Sequence, residues 1–259
     1  MATRDDELVK VTVDGQQIAG TIITPATSVP GLLFVHGWGG SQKQYLNRAR
    51  EAAGLGCVSL TFDLRGHADN DKQRDTVSRD DNLRDVLAAH DLLAAHPSVD
   101  RSAIGLIGSS YGAYLAAITT SLRSVRWLAL RAPALYKDTG WELPKVRLND
   151  DPDFAAYRRR HVHWESNHAL RACAAFGGDV LIVESEHDDV VPHPVIENYV
   201  AAFIRARSLT TRVIPGADHG LSDEQWQRAY TSLLVDWFRE VVVGVRADGS
   251  SIGRSSASD

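Results

Sequence analysis

Gly108-Ser109-Ser110-Tyr111-Gly112 lies between a strand-like apolar run, Ser102 to Ile107, and a helix-like run, Ala113 to Leu122. A serine at a sharp bend between strand and helix lifts its hydroxyl above the edge of a sheet. The bend brings backbone so close that only glycine fits on either side. Gly108 and Gly112 meet that need, and the spacing G-x-S-x-G marks Ser110 as a candidate nucleophile. The next amide, Tyr111 N–H, opens a helix and has no acceptor within it, so it is a candidate donor to a developing oxyanion.

Working outward, the same punctuation recurs. Gly31 to Val35, Cys57 to Phe62, Ser102 to Ile107, Val125 to Leu130 and Val180 to Val183 are short continuous apolar runs, as expected of strands covered on both faces. Helix-like stretches separate them: Gln42 to Ala53, Asp80 to Ala95, Ser110 to Leu122 and Pro194 to Ala206. Asp223 to Val243 follows a last strand near Thr211 to Ile214. Alternating strands and helices predict a mostly parallel sheet with right-handed crossovers. Ahead of it, Leu8 to Val13 and Gln17 to Thr24 alternate around Asp14-Gly15 and predict an antiparallel hairpin.

Residues 133–178 interrupt the alternation. They carry no strand pattern but hold Trp141, Phe154, Tyr157 and Trp164 among many charges. An unstructured loop of roughly 45 residues is improbable in a compact domain, so the interval reads as a small helical insertion over the sheet's active edge. Residues 1–245 read as one domain. Residues 246–259, rich in Ser and Gly and without apolar periodicity, read as a disordered tail.

With 259 residues, 44% of them hydrophobic and 24% charged, the chain can bury one large core. A formal charge of −5, with Arg158-Arg159-Arg160 as the dense basic run, gives little electrostatic support for nucleic-acid binding. Two cysteines, Cys57 and Cys173, are too few for a disulfide framework. The first residues, Met1 to Glu7, have no apolar signal core, and no stretch reaches the roughly 20 apolar residues of a membrane span. A soluble, cytoplasmic protein is the expectation, with monomer and homodimer both open.

A serine hydroxyl is a weak nucleophile at neutral pH and needs a base, which in turn needs an acid to orient it. Glu186-His187-Asp188-Asp189 follows a strand-like run, and Gly216-Ala217-Asp218-His219-Gly220 follows the last one. Loops at those strand ends share the edge where open α/β sheets bind ligands. His219 is the candidate base, while Glu186, Asp188 and Asp189 remain open as the acid. The loop after the Gly31 to Val35 strand, His36-Gly37-Trp38-Gly39-Gly40, offers Trp38 N–H as a second oxyanion donor. No Gly-Lys-Ser/Thr follows it, so it is not a phosphate loop.

Arg131, ending an apolar strand, is a candidate for orienting a substrate carboxylate, with a structural ion pair as the competing reading. Trp141 and Trp164 are candidates for lining a substrate pocket, against the alternative that they seat the insertion on the core. His161, His163, Glu165 and His168 have a metal-like composition. His at i and i+2 diverge on a helix, so no metal is expected.

These motifs together resemble the α/β-hydrolases, in the branch of small cytosolic esterases and dienelactone-hydrolase-like enzymes that is also similar to prolyl-oligopeptidase-type catalytic domains. The resemblance spans about Leu8 to Val243. It rests on His36 to Gly40 as the H-G-x-x-G element, Asp63-Leu64-Arg65-Gly66 as the turn after the next strand, Gly108 to Gly112 as the elbow, and Asp188 ahead of Pro192. Ala68 departs from it, standing where many members carry Gly. The resemblance implies an eight-stranded, mostly parallel twisted sheet with helices on both faces, an N-terminal antiparallel hairpin and a small helical cap. It selects Asp188 as the acid and His219 as the base. It implies a serine hydrolase acting on small-molecule carboxylic esters, without a cofactor. Thioesters and peptides or amides are the alternatives within the fold, and a catalytically silent binding module is the alternative outside it.

Overall fold

The computed structural model of the chain describes residues 5–24 and 29–252. Strands β1 (Asp5–Val13) and β2 (Gln16–Thr24) form the antiparallel hairpin. Its two-residue turn places Asp14 at φ 49° and Gly15 at φ 75°, the left-handed pair whose twist matches that of the flanking strands. Six further strands complete one sheet: β3 (Val29–Val35), β4 (Val58–Phe62), β5 (Val99–Ser109), β6 (Trp127–Arg131), β7 (Asp179–His187) and β8 (Ser208–Asp218). The spatial order is β1-β2-β4-β3-β5-β6-β7-β8, antiparallel up to the β2–β4 pair and parallel beyond it.

The continuous apolar runs are explained by two cores, one on each face. Successive strand residues point to opposite sides. Leu33 and Val35 therefore join one core while Leu32 and Phe34 join the other. Helices α2 (Arg79–Ala95), α3 (Tyr111–Thr119), α5 (His168–Ala175) and α6 (His193–Ala202) cover the first face. Helices α1 (Leu46–Gly54) and α7 (Glu224–Ile252) cover the second. The start of α2 is fixed by a reciprocal cap: Asp81 N–H donates to Ser78 Oγ at 3.0 Å, and Ser78 N–H donates to Asp81 Oδ2 at 2.9 Å.

The structure fills in the interval after β6 and differs from the sequence expectation at the C-terminal end. The interval 133–178 contains 3-10 turns at Lys145–Asp150 and Trp164–Ser166 and the single-turn α4 (Phe154–Tyr157). It ends in α5, whose Ala169, Leu170, Ala172 and Cys173 are buried. That apolar face packs beside α3 in the first core, and the helix leads the chain back into β7. At the other end, α7 continues to Ile252, into the stretch expected to lack structure. A long helix anchored by a buried apolar face propagates at little cost per added residue, even through weakly helical sequence. The remainder of that expected tail, 253–259, lies outside the described residues.

Candidate active site

Ser110 sits at the β5–α3 bend with φ 51° and ψ −115°, a conformation that L-residues rarely adopt. Neighbouring backbone holds it there. Ser110 N–H donates to the Arg131 carbonyl at 2.8 Å, and Ala134 N–H donates to the Ser110 carbonyl at 3.1 Å. A Cβ at Gly108 would overlap Ala113, and one at Gly112 would overlap the Val35 and His36 carbonyl oxygens. Both glycines of the motif are therefore required by close approach of backbone to backbone.

The loops after β7 and β8 converge on the serine. His219 Nε2 lies 3.0 Å from Ser110 Oγ, and His219 Nδ1 lies 2.7 Å from Asp188 Oδ2. The other Asp188 oxygen, Oδ1, accepts from Val190 N–H at 2.9 Å and Val191 N–H at 2.7 Å. Burial by itself raises a carboxyl pKa. Here the hydrogen bond from His219 and the two backbone donors outweigh burial and hold Asp188 below the usual carboxylate range. Of the other two acidic candidates, Glu186, still within β7, accepts from Gly216 N–H at 2.6 Å, and Asp189 on the loop is exposed. A row in which an ionised carboxylate fixes an imidazole beside a hydroxyl can draw the hydroxyl proton during attack on a carbonyl.

The Trp38 loop borders the serine from the end of β3. His36, buried at its base, is held by two backbone groups: Nδ1 lies 2.8 Å from the Gly37 carbonyl, and Nε2 lies 3.0 Å from Leu64 N–H. Nδ1 must then carry the proton and Nε2 accept. Burial pushes its pKa down to about 4, with the Gly37 carbonyl opposing the shift, so the ring is neutral in this role. The His67 ring meets His36 edge-on at 4.9 Å between centroids, and Trp38 packs edge-on against His67 at 4.6 Å. The motif reading named this loop for its amides and gave no role to His36, although histidine opens the motif.

The turn after β4 reaches the elbow through α2. Arg65 Nε donates to Asp85 Oδ1 at 2.6 Å, Asn82 Nδ2 donates to the Arg65 carbonyl at 3.1 Å, and Tyr111 OH donates to Asn82 Oδ1 at 3.1 Å. Ala68, in that turn, has φ 48°, which is why glycine is the easier residue there. The interval after β6 touches the site at buried Lys145, whose ammonium lies 4.7 Å from the Trp38 ring centroid and 5.3 Å from that of Tyr111.

Ser110, His219, Trp38 and Arg131 line a common cavity of about 240 Å³. Its far wall is formed by Gln44 and Arg48 from the α1 side and by Gln227 and Tyr230 of α7. The sequence reading missed these four, because their spacing marks only helices with a polar side. Trp141 and Trp164 do not line this cavity. Trp141 stacks on Tyr114 at 6.1 Å and lies 4.9 Å from the Arg79 guanidinium, while Trp164 stacks on His163 at 5.6 Å. Both pack against the first core, the use of aromatic surface that competes with a pocket in an inserted segment. His161 and His163 are exposed, and among the described residues no three His, Cys, Asp or Glu side chains gather as a metal-binding group. Among those residues no helix is long and apolar enough to cross a membrane.

Comparison with known proteins agrees with this architecture. An uncharacterised protein of Mycobacterium tuberculosis is 28% identical over 215 residues, covering 82% of this chain and 72% of that one. A dienelactone hydrolase from Anabaena variabilis superposes with a TM-score of 0.66 at 19% identity, over 92% of this chain and 98% of that one. An esterase from Pyrococcus furiosus superposes with a TM-score of 0.68 at 17% identity, over 91% and 92% of the two chains. At those identities the superpositions establish the α/β-hydrolase fold. The sequence model of the prolyl oligopeptidase family, peptidase family S9, matches residues 44–244, and the chain belongs to that family of hydrolases.

Proposed function

We propose that the protein is a serine hydrolase that cleaves carboxylic esters of small to medium substrates through an acyl-enzyme. The observation that carries this reading is His219 bridging Ser110 and Asp188, at 3.0 Å and 2.7 Å. In this mechanism His219 takes the Ser110 proton as Oγ attacks the ester carbonyl, and Asp188 stabilises the imidazolium. The Trp38 and Tyr111 amides hold the oxyanion. His219 gives its proton to the departing alcohol, then activates water, which cleaves the acyl-Ser110 bond and releases the acid. The formal charge of −5 supports a small-molecule substrate over nucleic acid, and the reaction as written uses no cofactor.

The test is intact mass after treatment with a fluorophosphonate, with turnover of a p-nitrophenyl ester series alongside. The wild type is expected to gain one adduct that Ser110→Ala lacks. Ester turnover in that variant is expected to fall on the order of 10³- to 10⁶-fold with the fold retained. Unchanged turnover in a purified, folded Ser110→Ala protein overturns the assignment.

The family match favours amide or peptide cleavage as a second reading. Amino-acyl p-nitroanilides separate the two. Anilide hydrolysis with kcat/KM equal to or above that of the matching ester assigns the protein as a peptidase, and ester-selective turnover assigns it as an esterase.

A further inference from the structure

The cavity beside Ser110 has an unusual electrostatic lining. Its wall includes Arg48 and Arg131, and among the described residues no Asp or Glu lines it, although the chain carries 33 acidic residues against 28 basic ones. Both arginines are buried, at 9% and 7% exposure. Arg131 spends its hydrogen bonds on uncharged oxygens: Nε on Ser109 Oγ at 2.6 Å, Nη1 on the His219 carbonyl at 2.8 Å and on Ser185 Oγ at 3.4 Å. Arg48 does the same, Nη1 donating to the Gln44 carbonyl at 2.7 Å and Nη2 to the Gln227 carbonyl at 3.5 Å. The two guanidiniums lie 4.8 Å and 6.0 Å from the centroid of the Tyr230 ring, which stands against both. Tyr230 OH and Arg48 Nε are buried and have no hydrogen-bond partner among the described residues.

A charge removed from water is normally met by an opposite charge. Two buried cations on the wall of one open cavity, beside the nucleophile and with no ion pair to an Asp or Glu among the described residues, leave that role to whatever enters. We infer that this cavity receives a carboxylate carried by the substrate, held by Arg131 and Arg48, so that the preferred esters are themselves acids. The inference rests on the acyl-enzyme reading and narrows its substrate class. A single carboxylate matches the donors that remain: Arg131 keeps Nη2 free of acceptors among the described residues, and guanidinium donors meet the two oxygens of a carboxylate in one plane. Because Arg131 also holds the His219 carbonyl, an anion seated on it would be registered against the base. Arg131 would thus bind the substrate and position His219 at once.

The experiment compares matched esters that differ by one carboxylate. On the acyl side the pair is p-nitrophenyl hexanoate and mono-p-nitrophenyl adipate. On the alcohol side it is phenyl butyrate and 4-carboxyphenyl butyrate. The readout is the ratio of kcat/KM between acid and neutral members, which is insensitive to changes in the amount of active enzyme. In the wild type at least one acid is expected to exceed its neutral partner about tenfold or more, the size of a charge-assisted hydrogen bond. Raising the salt concentration should shrink that ratio. Arg131→Gln and Arg48→Gln should each bring it towards one, chiefly through KM of the acid, and Arg131→Lys should retain part of it. Should Arg131→Gln fail to fold, Arg48→Gln carries the test. Neutral esters preferred in both pairs, or a ratio unmoved by both Gln variants, overturns the inference. Fluorophosphonate labelling and neutral-ester turnover distinguish this failure from failure of the acyl-enzyme reading: both persist in the first case and both are absent in the second.

Discussion

Ser110 concentrates the local strain of the site. Its φ of 51° is sterically unfavourable for any residue with a Cβ, and it persists because backbone from β6 and the segment after it is hydrogen-bonded on both sides of the serine. The two glycines serve this bend differently from turn glycines. Each is needed for space, not for a positive φ, since added carbon would meet main chain that cannot swing away. Gly112→Ala is therefore expected to cost about 3 kcal/mol or more, the upper range of overpacking a filled interior. Urea unfolding measures it, and a variant as stable as the wild type would refute the close packing of α3 on the end of β3.

At the scale of elements, the loop after β3 depends on a pair of neutral histidines. Burial is the main cause lowering His36 and His67, each from 6.5 to about 4; the Gly37 carbonyl opposes it at His36, and the positive charge of a protonated His36 adds to it at His67. The unfolded chain takes up these protons as pH falls below 6.5, whereas the folded chain resists until about 4. The stability they confer is thus full above pH 6.5 and lost as pH falls towards 4, on the order of 2–3 kcal/mol per histidine. Unfolding free energy measured at steps between pH 7 and 4 should fall steeply in this window, above the range where carboxylates titrate. A His36→Gln, His67→Gln variant should be less stable at pH 7 and show a shallower fall. An equal slope in both proteins would remove the histidines from the account.

For the whole molecule, the sheet separates two cores that share strands but little side-chain contact. Leu115 of α3 belongs to one and Phe238 of α7 to the other, both fully buried. Leu115→Ala is expected to cost about 2–5 kcal/mol and Phe238→Ala about 3–5 kcal/mol. Their effects should add within about 0.5 kcal/mol in the double variant, because a sheet lies between them. Denaturant midpoints at constant m-value test this. Strong coupling would mean that the faces communicate through the strands. The same two-sided construction places the site, since the loops leaving β3, β5, β7 and β8 at one edge bring His36 to Gly40, Ser110, Asp188 and His219 together.

The sequence by itself determined the parts whose causes are local. Continuous apolar runs dictate strands buried on both faces, Asp14-Gly15 dictates the hairpin turn, and the glycines flanking Ser110 dictate the bend. The chain order of Ser110, an acid and His219 was legible for the same reason, because each follows a readable strand. From the residues alone, Glu186, Asp188 and Asp189 are chemically equivalent, and only the converging loops bring Asp188 within 2.7 Å of His219. Trp141 and Trp164 show the converse: aromatic content announces buried surface without saying against what. The polar wall of Arg48, Gln227 and Tyr230 comes from helices far from Ser110 in sequence. Periodicity tells which side of a helix faces the core, but which polar residue ends at the rim of a cavity is fixed only by how the layers stack, and that belongs to the tertiary structure.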